Sequence, residues 1–117
     1  MTDFETAQRC AAEMWKSDKA SRSLGIEVEV TGLGTATATM QVREHMLNGL
    51  DVCHGGMLFT LADTACAFAC NSYNRVTLSA SGKIHFLRSA RLGDVLTAIA
   101  VEDYRGGRRG FYTVKVA

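Results

Sequence analysis

The stretch that decides the fold is residues 54–71, HGGMLFTLADTACAFACN. Its Ala and Leu content and its length predict a helix of about four to five turns. Between residues 57 and 70 only Thr60, Asp63 and Thr64 are polar. A helix that is apolar on nearly every side is a buried helix. The rest of the chain is therefore expected to surround it.

Before this helix the chain carries a second helical pattern and a strand hairpin. Apolar residues recur at helical spacing through residues 3–20, which predicts an amphipathic helix resting on something larger. From Ile26 the period becomes two: Ile26, Val28 and Val30 alternate with polar residues, and TATATMQV at 35–42 follows a glycine turn. These two runs predict an antiparallel hairpin.

After the helix the sequence returns to strand patterns. Three strands are predicted, at about 77–87, 95–104 and 111–116. We therefore expect one α+β domain over residues 1–117, in which an antiparallel sheet wraps around the long central helix and the N-terminal helix is peripheral. Because the last strand pattern is still running at the final residue, the domain is expected to be truncated at its C-terminus.

Composition excludes several classes of partner. Thirteen Lys and Arg against twelve Asp and Glu give a net charge of +1, which supplies no field for nucleic acid or a membrane as the main partner. The N-terminus lacks the basic and apolar pattern of a signal peptide, so a cytoplasmic protein is expected. The longest apolar run falls short of the roughly 20 residues that span a bilayer. The four cysteines are expected to be free thiols.

Asp63 is the first candidate for chemistry. An ionised carboxylate inside an apolar helix is costly unless it is paired or lines a wet cavity. The alternative is a structural role, in which it bridges to an Arg or a backbone N–H. Gly55 and Gly56 stand at the start of the helix, where unpaired N–H groups and the helix dipole stabilise negative charge on a carbonyl that becomes an oxyanion. The alternative is that the two glycines only make a turn.

The spacing of these residues carries a further prediction. Asp63 follows Gly55 by eight residues, which is roughly 12 Å along a helix axis. The two groups of one chain cannot serve one carbonyl together. If both act on the same bond, two copies of the chain must place their central helices antiparallel across a two-fold axis. The active species is then at least a dimer.

Other chemistries lack their motifs in this chain. Neither GxGxxG nor GxxxxGK[ST] occurs, which argues against a nucleotide enzyme. No CxxC pair occurs, and Cys66 and Cys70 lie in the apolar run, so no metal site is expected. No GxSxG elbow accompanies the histidines, and Cys53 beside a helix start is only suggestive of a nucleophile. No cofactor is expected.

Two segments resemble a known family. Residues 46–72, MLNGLDVCHGGMLFTLADTACAFACNS, and residues 84–100, IHFLRSARLGDVLTAIA, closely resemble the hot-dog-fold acyl-CoA thioesterases of bacterial phenylacetate degradation. The similarity runs from about Leu24 to the end of the chain. It implies a hot-dog fold, dimers that pair into tetramers, and hydrolysis of acyl-CoA esters, with phenylacetyl-CoA and its ring-hydroxylated forms as favoured substrates.

The resemblance also implies roles for individual residues. Asp63 matches the catalytic acid, and Gly55 matches the glycine whose amide polarises the thioester carbonyl. His54 and Asn48 match residues associated with the active site, and Thr64 matches the residue beside the acid, which is expected to help place water.

Substrate-binding residues are assigned more broadly. Gly56 is expected at the substrate, and Arg88 and Arg91 are candidates for holding the phosphates of CoA. For any single arginine the alternative is a solvated surface charge. The family usually has Pro where Ser89 stands, so the turn there is expected to differ locally.

Two rival functions remain open at this stage. A non-catalytic acyl-CoA-binding hot-dog protein, a sensor or scaffold, would use the same helix end without turnover. A hydratase or dehydratase would need a His paired with an acid, and His54 leaves this open. Only hydrolysis releases free thiol, so product analysis separates hydrolysis from both.

Overall fold

The computed structural model describes all 117 residues. Three α-helices are present: α1 (Asp3–Ser17), α2 (Lys19–Ser23) and α3 (Gly55–Cys70). Four strands are present: β1 (Glu27–Gly32), β2 (Thr35–Gln41), β3 (Val95–Gly106) and β4 (Arg109–Val116). Single turns of 3-10 helix lie at Glu44–Met46 and Asn71–Tyr73. None of the helices combines the length and the apolar character needed to cross a membrane.

The sheet confirms the predicted hairpin and the last two predicted strands. Its strands lie in the order β1-β2-β3-β4, and every neighbouring pair is antiparallel. The inward positions of the two central strands are mostly alanine: Ala36 and Ala38 on β2, and Ala98 and Ala100 on β3, all with no exposed surface. Small side chains at these positions let a helix approach the sheet closely.

Helix α3 fills the concave side of this sheet, as predicted. Its buried residues are Leu61, Thr64, Ala65, Phe68 and Ala69, which recur at helical spacing along one face. The opposite face of α3 has no strand over it. The helix is therefore covered on one side and open on the other, whereas its sequence predicted burial all round.

The N-terminal helix is peripheral, as predicted, but it ends earlier than residue 20. A capping box between Thr2 and Glu5 starts α1. The helix is interrupted at Asp18. The Asp18 carboxylate accepts a hydrogen bond from the Ser21 N–H and so caps the start of the short helix α2. Trp15 of α1 packs edge-on against Phe68 of α3 at 6.4 Å between ring centroids.

One predicted strand is wrong: residues 77–87 belong to no sheet. The backbone N–H and C=O groups of residues 78–89 make no hydrogen bond within the chain. Leu78 and Leu87 are 87% and 88% exposed. Alternating sequence favours an extended backbone, but a ladder also needs a neighbouring strand, and no strand of this chain lies beside this part. We call residues 77–87 the unpaired segment.

Candidate active site

The loop before α3 is organised by Asn48. Its side-chain oxygen accepts from the N–H groups of Leu50 at 2.9 Å and Val52 at 3.2 Å, and its backbone N–H donates to the Val52 carbonyl at 2.8 Å. Asp51 adopts a left-handed conformation with φ 59°, which Asp tolerates better than most residues. Asn48 therefore shapes the approach to the helix start.

The helix start distinguishes the two glycines. His54 is the N-cap of α3, and its Nδ1 accepts from the Gly56 N–H at 2.9 Å. Because Nδ1 is an acceptor here, the ring proton of the neutral imidazole lies on Nε2. The Gly55 N–H has no acceptor in the chain. Of the three predicted residues, Gly55 is thus the one that presents a free donor at the positive end of the helix dipole, while the Gly56 N–H is already occupied.

Gly55 is also closely approached by an aromatic ring. A Cβ at Gly55 would lie 3.1 Å from the Phe86 ring. Phe86 is 56% exposed, so the ring flanks the helix start without sealing it. A side chain at position 55 would displace the ring, which gives a local reason for glycine here.

Asp63 lies on the open face of α3 and is exposed, whereas the sequence predicted a carboxylate inside a buried helix. Ser79 of the unpaired segment donates its hydroxyl to Asp63 Oδ1 at 3.1 Å. A cavity of about 280 Å³ adjoins this pair, and its lining residues are Phe59, Asp63, Ser79, Ala80, Ser81 and Gly82. The carboxylate has no cationic partner, which rules out the alternative of an Arg bridge within the chain.

Ser79 was missed by the sequence reasoning. It stands sixteen residues after Asp63 in a part of the chain read as an ordinary strand, and no motif marks a single Ser. The only signal available was sequence position: residues 77–87 follow the helix closely in the chain, so they are natural neighbours of a helix face.

Thr64 lies on a different side of α3 from Asp63. Its side chain is only 6% exposed and lies on the sheet-covered side of α3. Its hydroxyl donates to the Thr60 carbonyl at 2.8 Å and lies 3.0 Å from the Ser21 hydroxyl of α2. Adjacent helix positions point about 100° apart, so the Thr64 hydroxyl faces α2 while Asp63 faces the open side, and a role for Thr64 in placing water stays a prediction.

The cysteines near the site are held as neutral thiols. Burial, followed by the charge of Asp63, raises the pKa of Cys66. Burial, followed by Cys66, raises the pKa of Cys70 to about 11. Burial likewise raises the pKa of Cys53. All four cysteines are free, as predicted. Raised thiol pKa values argue against a cysteine nucleophile.

Arg88 and Arg91 lie on the exposed turn that leads into β3. This turn adjoins the start of α3, because the Ala90 carbonyl accepts from the Cys53 N–H at 2.8 Å. Neither guanidinium is in an ion pair. The turn itself is held by the Arg91 backbone N–H, which donates to the Asp94 carboxylate at 2.8 Å. A phosphate-binding role for the two arginines stays a prediction.

The unpaired segment runs antiparallel along the open face of α3. Ser79 meets Asp63, a Cβ at Gly82 would lie 3.0 Å from the Phe59 ring, and Phe86 meets Gly55. The structure therefore brings Ser79 to the predicted acid and Phe86 to the predicted oxyanion donor. It does not bring Asp63 to Gly55, which are two helical turns apart on the same helix.

Comparison with known proteins shows which family this chain is similar to. The profile of the Thioesterase superfamily matches residues 50–117. The acyl-coenzyme A thioesterase PaaI of Escherichia coli (strain K12) is 42% identical over 106 residues, which are 91% of this chain and 76% of that protein.

Solved structures agree with the sequence comparison. The E. coli PaaI protein from the phenylacetic acid degradation operon superposes with a TM-score of 0.95 at 39% identity, covering 98% of this chain and 83% of that one. A thioesterase protein from Streptococcus pneumoniae TIGR4, solved with coenzyme A, has a TM-score of 0.74 at 27% identity, covering 79% and 74% of the two chains. The predicted hot-dog fold is confirmed.

Proposed function

Because this chain belongs to the thioesterase superfamily, we propose that it hydrolyses acyl-CoA thioesters, with aryl-acetyl-CoA esters such as phenylacetyl-CoA and its ring-hydroxylated forms as substrates. The whole chain would act as one hot-dog domain. The proposal rests on one observation: α3 presents both a free Gly55 N–H at its start and an exposed Asp63 on its open face.

The preference for aryl-acetyl groups rests on two supports. The similar E. coli protein is an acyl-coenzyme A thioesterase, and its structure is described as coming from the phenylacetic acid degradation operon. In this chain Phe86 and Phe59 flank Gly55 and the cavity beside Asp63. Aromatic rings at these positions offer edge and face contacts to an aryl group.

The two polar groups have complementary tasks in the hydrolysis. The Gly55 N–H donates to the thioester oxygen as it becomes an oxyanion, and the helix dipole adds to this stabilisation. Asp63 either takes a proton from the attacking water or itself attacks the carbonyl carbon to form a mixed anhydride that water then opens. On both routes the C–S bond breaks, CoA leaves as the thiol after protonation, and the acid is released.

A second copy of the chain is required to bring these groups to one bond. Gly55 and Asp63 of one subunit are roughly 12 Å apart along the helix, so the acid must come from the partner. The unpaired segment beyond Thr77, with the two residues that follow it, supplies the means of association, since the twelve residues 78–89 have free backbone donors and acceptors. Antiparallel pairing of this segment with its own copy would satisfy the central ones across a two-fold axis.

The registers of the helix and of the segment agree on where that axis lies. Gly55 can face the partner's Asp63 only if the axis passes near Phe59, the residue midway between them. Phe86 contacts Gly55, and Ser79 contacts Asp63. The midpoint in sequence between Phe86 and Ser79 is the Gly82–Lys83 peptide. Gly82 is the residue that contacts Phe59. One two-fold axis would therefore serve both pairings, which supports the proposed dimer. Pairing of two such dimers into a tetramer is supported by the family resemblance.

Thiol release tests the activity and the acid. Wild-type protein is incubated with phenylacetyl-CoA and free thiol is measured, beside Asp63→Asn and Asp63→Ala. Both variants are expected to lose at least about a thousandfold in kcat/KM, since the group that activates or delivers the nucleophile is gone. Asp103→Asn, at an exposed carboxylate bonded to Thr113 on the sheet, is the matched control and retains activity.

The result has two ways of contradicting the proposal. Unchanged thiol release in folded, dimeric Asp63→Asn would move the chemistry to another residue. No release from wild type across several acyl-CoAs, combined with measurable binding of them, would favour a non-catalytic acyl-CoA-binding protein.

Complementation tests whether one active site uses two chains. Asp63→Asn and Gly55→Val are each expected to be inactive, and co-expression with two affinity tags yields mixed dimers. In a mixed dimer one of the two sites combines an intact Gly55 with an intact Asp63, so tag-purified heterodimers should recover about half of wild-type activity. Heterodimers that form but stay inactive would contradict a shared site.

A further inference from the structure

Asn71 binds two parts of the chain at once. It is the C-cap of α3, and its side-chain Nδ2 donates to the Ala67 carbonyl in the last helical turn at 2.8 Å. The same Nδ2 donates to the Thr77 carbonyl at 2.9 Å, and Oδ1 accepts from the Thr77 N–H at 2.9 Å. The amide thus pairs with both backbone groups of Thr77, as a neighbouring strand would.

This contact is where the unpaired segment is fastened. From Leu78 to Ser89 no backbone group is hydrogen-bonded within the chain. Two residues beyond Thr77, Ser79 donates to Asp63. In an extended chain a two-residue step is about 7 Å and returns the side chain to the same face. The location of Thr77 on the helix end therefore decides whether Ser79 reaches Asp63.

No neighbouring side chain fastens the start of the unpaired segment to α3 in place of Asn71. The Thr77 hydroxyl is used locally, donating to the Arg75 carbonyl. Residues 80–82, Ala-Ser-Gly, follow Ser79 along the cavity and form no side-chain hydrogen bond to α3. Asn71 uses both its oxygen and its nitrogen in these bonds, so its amide has a single orientation.

We propose that Asn71 is a positioning residue for thioester hydrolysis: its amide fixes the start of the unpaired segment on the end of α3 and so holds Ser79 against Asp63. This inference rests on the proposed function, because the Ser79–Asp63 contact matters only if Asp63 acts in the reaction. Asn71 lies two helical turns beyond Asp63 and acts through the backbone of residues 77–79. Its effect is expected in the chemical step and not in substrate capture.

A double-mutant cycle tests the coupling. The values of kcat and KM for phenylacetyl-CoA are measured for wild type, Asn71→Ala, Ser79→Ala and the double variant. Each single change is expected to lower kcat about tenfold, as for loss of one hydrogen bond to a charged group, with KM within about twofold of wild type. The double variant should lose no more than either single variant, since both remove the same contact.

Amide hydrogen exchange gives the direction of the effect. The Thr77 amide should lose its protection in Asn71→Ala and keep it in Ser79→Ala, because the serine lies downstream of the anchor. Asn74→Gly is the matched control: Asn74 caps the same turn in a left-handed conformation that Gly adopts freely, and its change should leave kcat as in wild type. If Asn71→Ala does not fold, Asn71→Ser replaces it, since serine is too short to reach both groups of Thr77.

Failure of this inference is distinct from failure of the proposed function. A kcat for Asn71→Ala equal to that of wild type, or additive losses in the double variant, would overturn the positioning role while Asp63→Asn still abolished thiol release. Absence of thiol release from wild type would overturn both. An equal loss of kcat in Asn74→Gly would show a general effect of loosening this turn and would also overturn the specific role of Asn71.

Discussion

Strand β3 and the unpaired segment both alternate in sequence, yet they differ in their backbone hydrogen bonds and in their burial. β3 is hydrogen-bonded to β2 on one side and to β4 on the other, and Leu96, Ala98 and Ala100 turn into the core. The unpaired segment forms no backbone–backbone hydrogen bond, and Leu78 and Leu87 face solvent. The difference shows that alternation encodes the extended backbone, while pairing depends on what lies beside it.

The two faces of α3 repeat this contrast within one helix. The face that carries Thr64 is buried against the sheet and α2, whereas the face that carries Asp63 is open except where the unpaired segment crosses it. The groups proposed for catalysis all belong to the open side. A surface that one chain leaves uncovered is thus where a second chain would complete the site.

The largest effect is expected from proline in the two extended parts. Ile99→Pro in β3 removes a ladder hydrogen bond between two partners and should cost about 3 kcal/mol or more of unfolding free energy. Lys83→Pro in the unpaired segment breaks no bond within the chain. It should leave a folded subunit that no longer dimerises and that loses at least about a thousandfold in thiol release, as Asp63→Asn does, because Asp63 and Gly55 no longer meet.

Urea unfolding followed by circular dichroism, with light scattering for mass, distinguishes the two prolines. The wild-type unfolding midpoint should depend on protein concentration, as for a dimer, and that of Lys83→Pro should not. A monomeric wild type, or a Lys83→Pro variant as unstable as Ile99→Pro, would show that the unpaired segment is held by its own chain.

A moderate effect is expected at Thr64 on the closed face. Thr64→Val removes a buried hydroxyl that bonds to Thr60 and lies against Ser21, so about 1–2 kcal/mol of stability should be lost. The kcat of folded protein should be unchanged, in contrast to Asp63→Asn one position away. Adding Ser21→Ala should recover part of the loss, because the serine hydroxyl left without its partner is removed. A large fall in kcat for Thr64→Val would restore its predicted role in placing water.

The effect expected from Cys70 is absent at neutral pH and appears only at alkaline pH. Its folded-state pKa of about 11 lies above the ordinary value of 9.0. The folded state therefore keeps a proton that the unfolded state loses, and the unfolding free energy should be constant below pH 9 and fall between pH 9 and about 11. Cys70→Ala should flatten this slope. A wild-type stability that is flat from pH 8 to 11 would contradict a protected thiol.

Much of the fold was predictable because its signals are local. Helix α3, the β1–β2 hairpin and strands β3 and β4 were predicted from periodicity and turn residues within a few positions of their observed bounds. The break in the N-terminal helix at Asp18 was missed, since a lone Asp with Ser three residues later is a weak signal in an otherwise helical pattern.

The candidate site was predicted less completely. Asp63, Gly55 and His54 were put forward as site residues from the sequence, and the structure adds that His54 caps Gly56 and leaves Gly55 free. Ser79 and Asn71 were not predicted, because Ser79 contacts a residue sixteen positions away, Asn71 bonds to the backbone of Thr77 across a turn, and neither belongs to a motif. Thr64 was assigned to the site by its proximity to Asp63 in sequence, which on a helix does not mean the same face.

The sequence alone determined most of the helical and strand patterns, that a Gly-Gly pair stands where the central helix starts, and that Gly55 and Asp63 of one chain are too far apart to share a carbonyl. These follow from local backbone preferences and from the fixed rise of a helix. Tertiary structure decided which face of α3 is covered, that Ser79 reaches Asp63, and that the unpaired segment lacks a neighbour. Those depend on packing between parts of the chain far apart in sequence, where no local pattern records which surfaces meet.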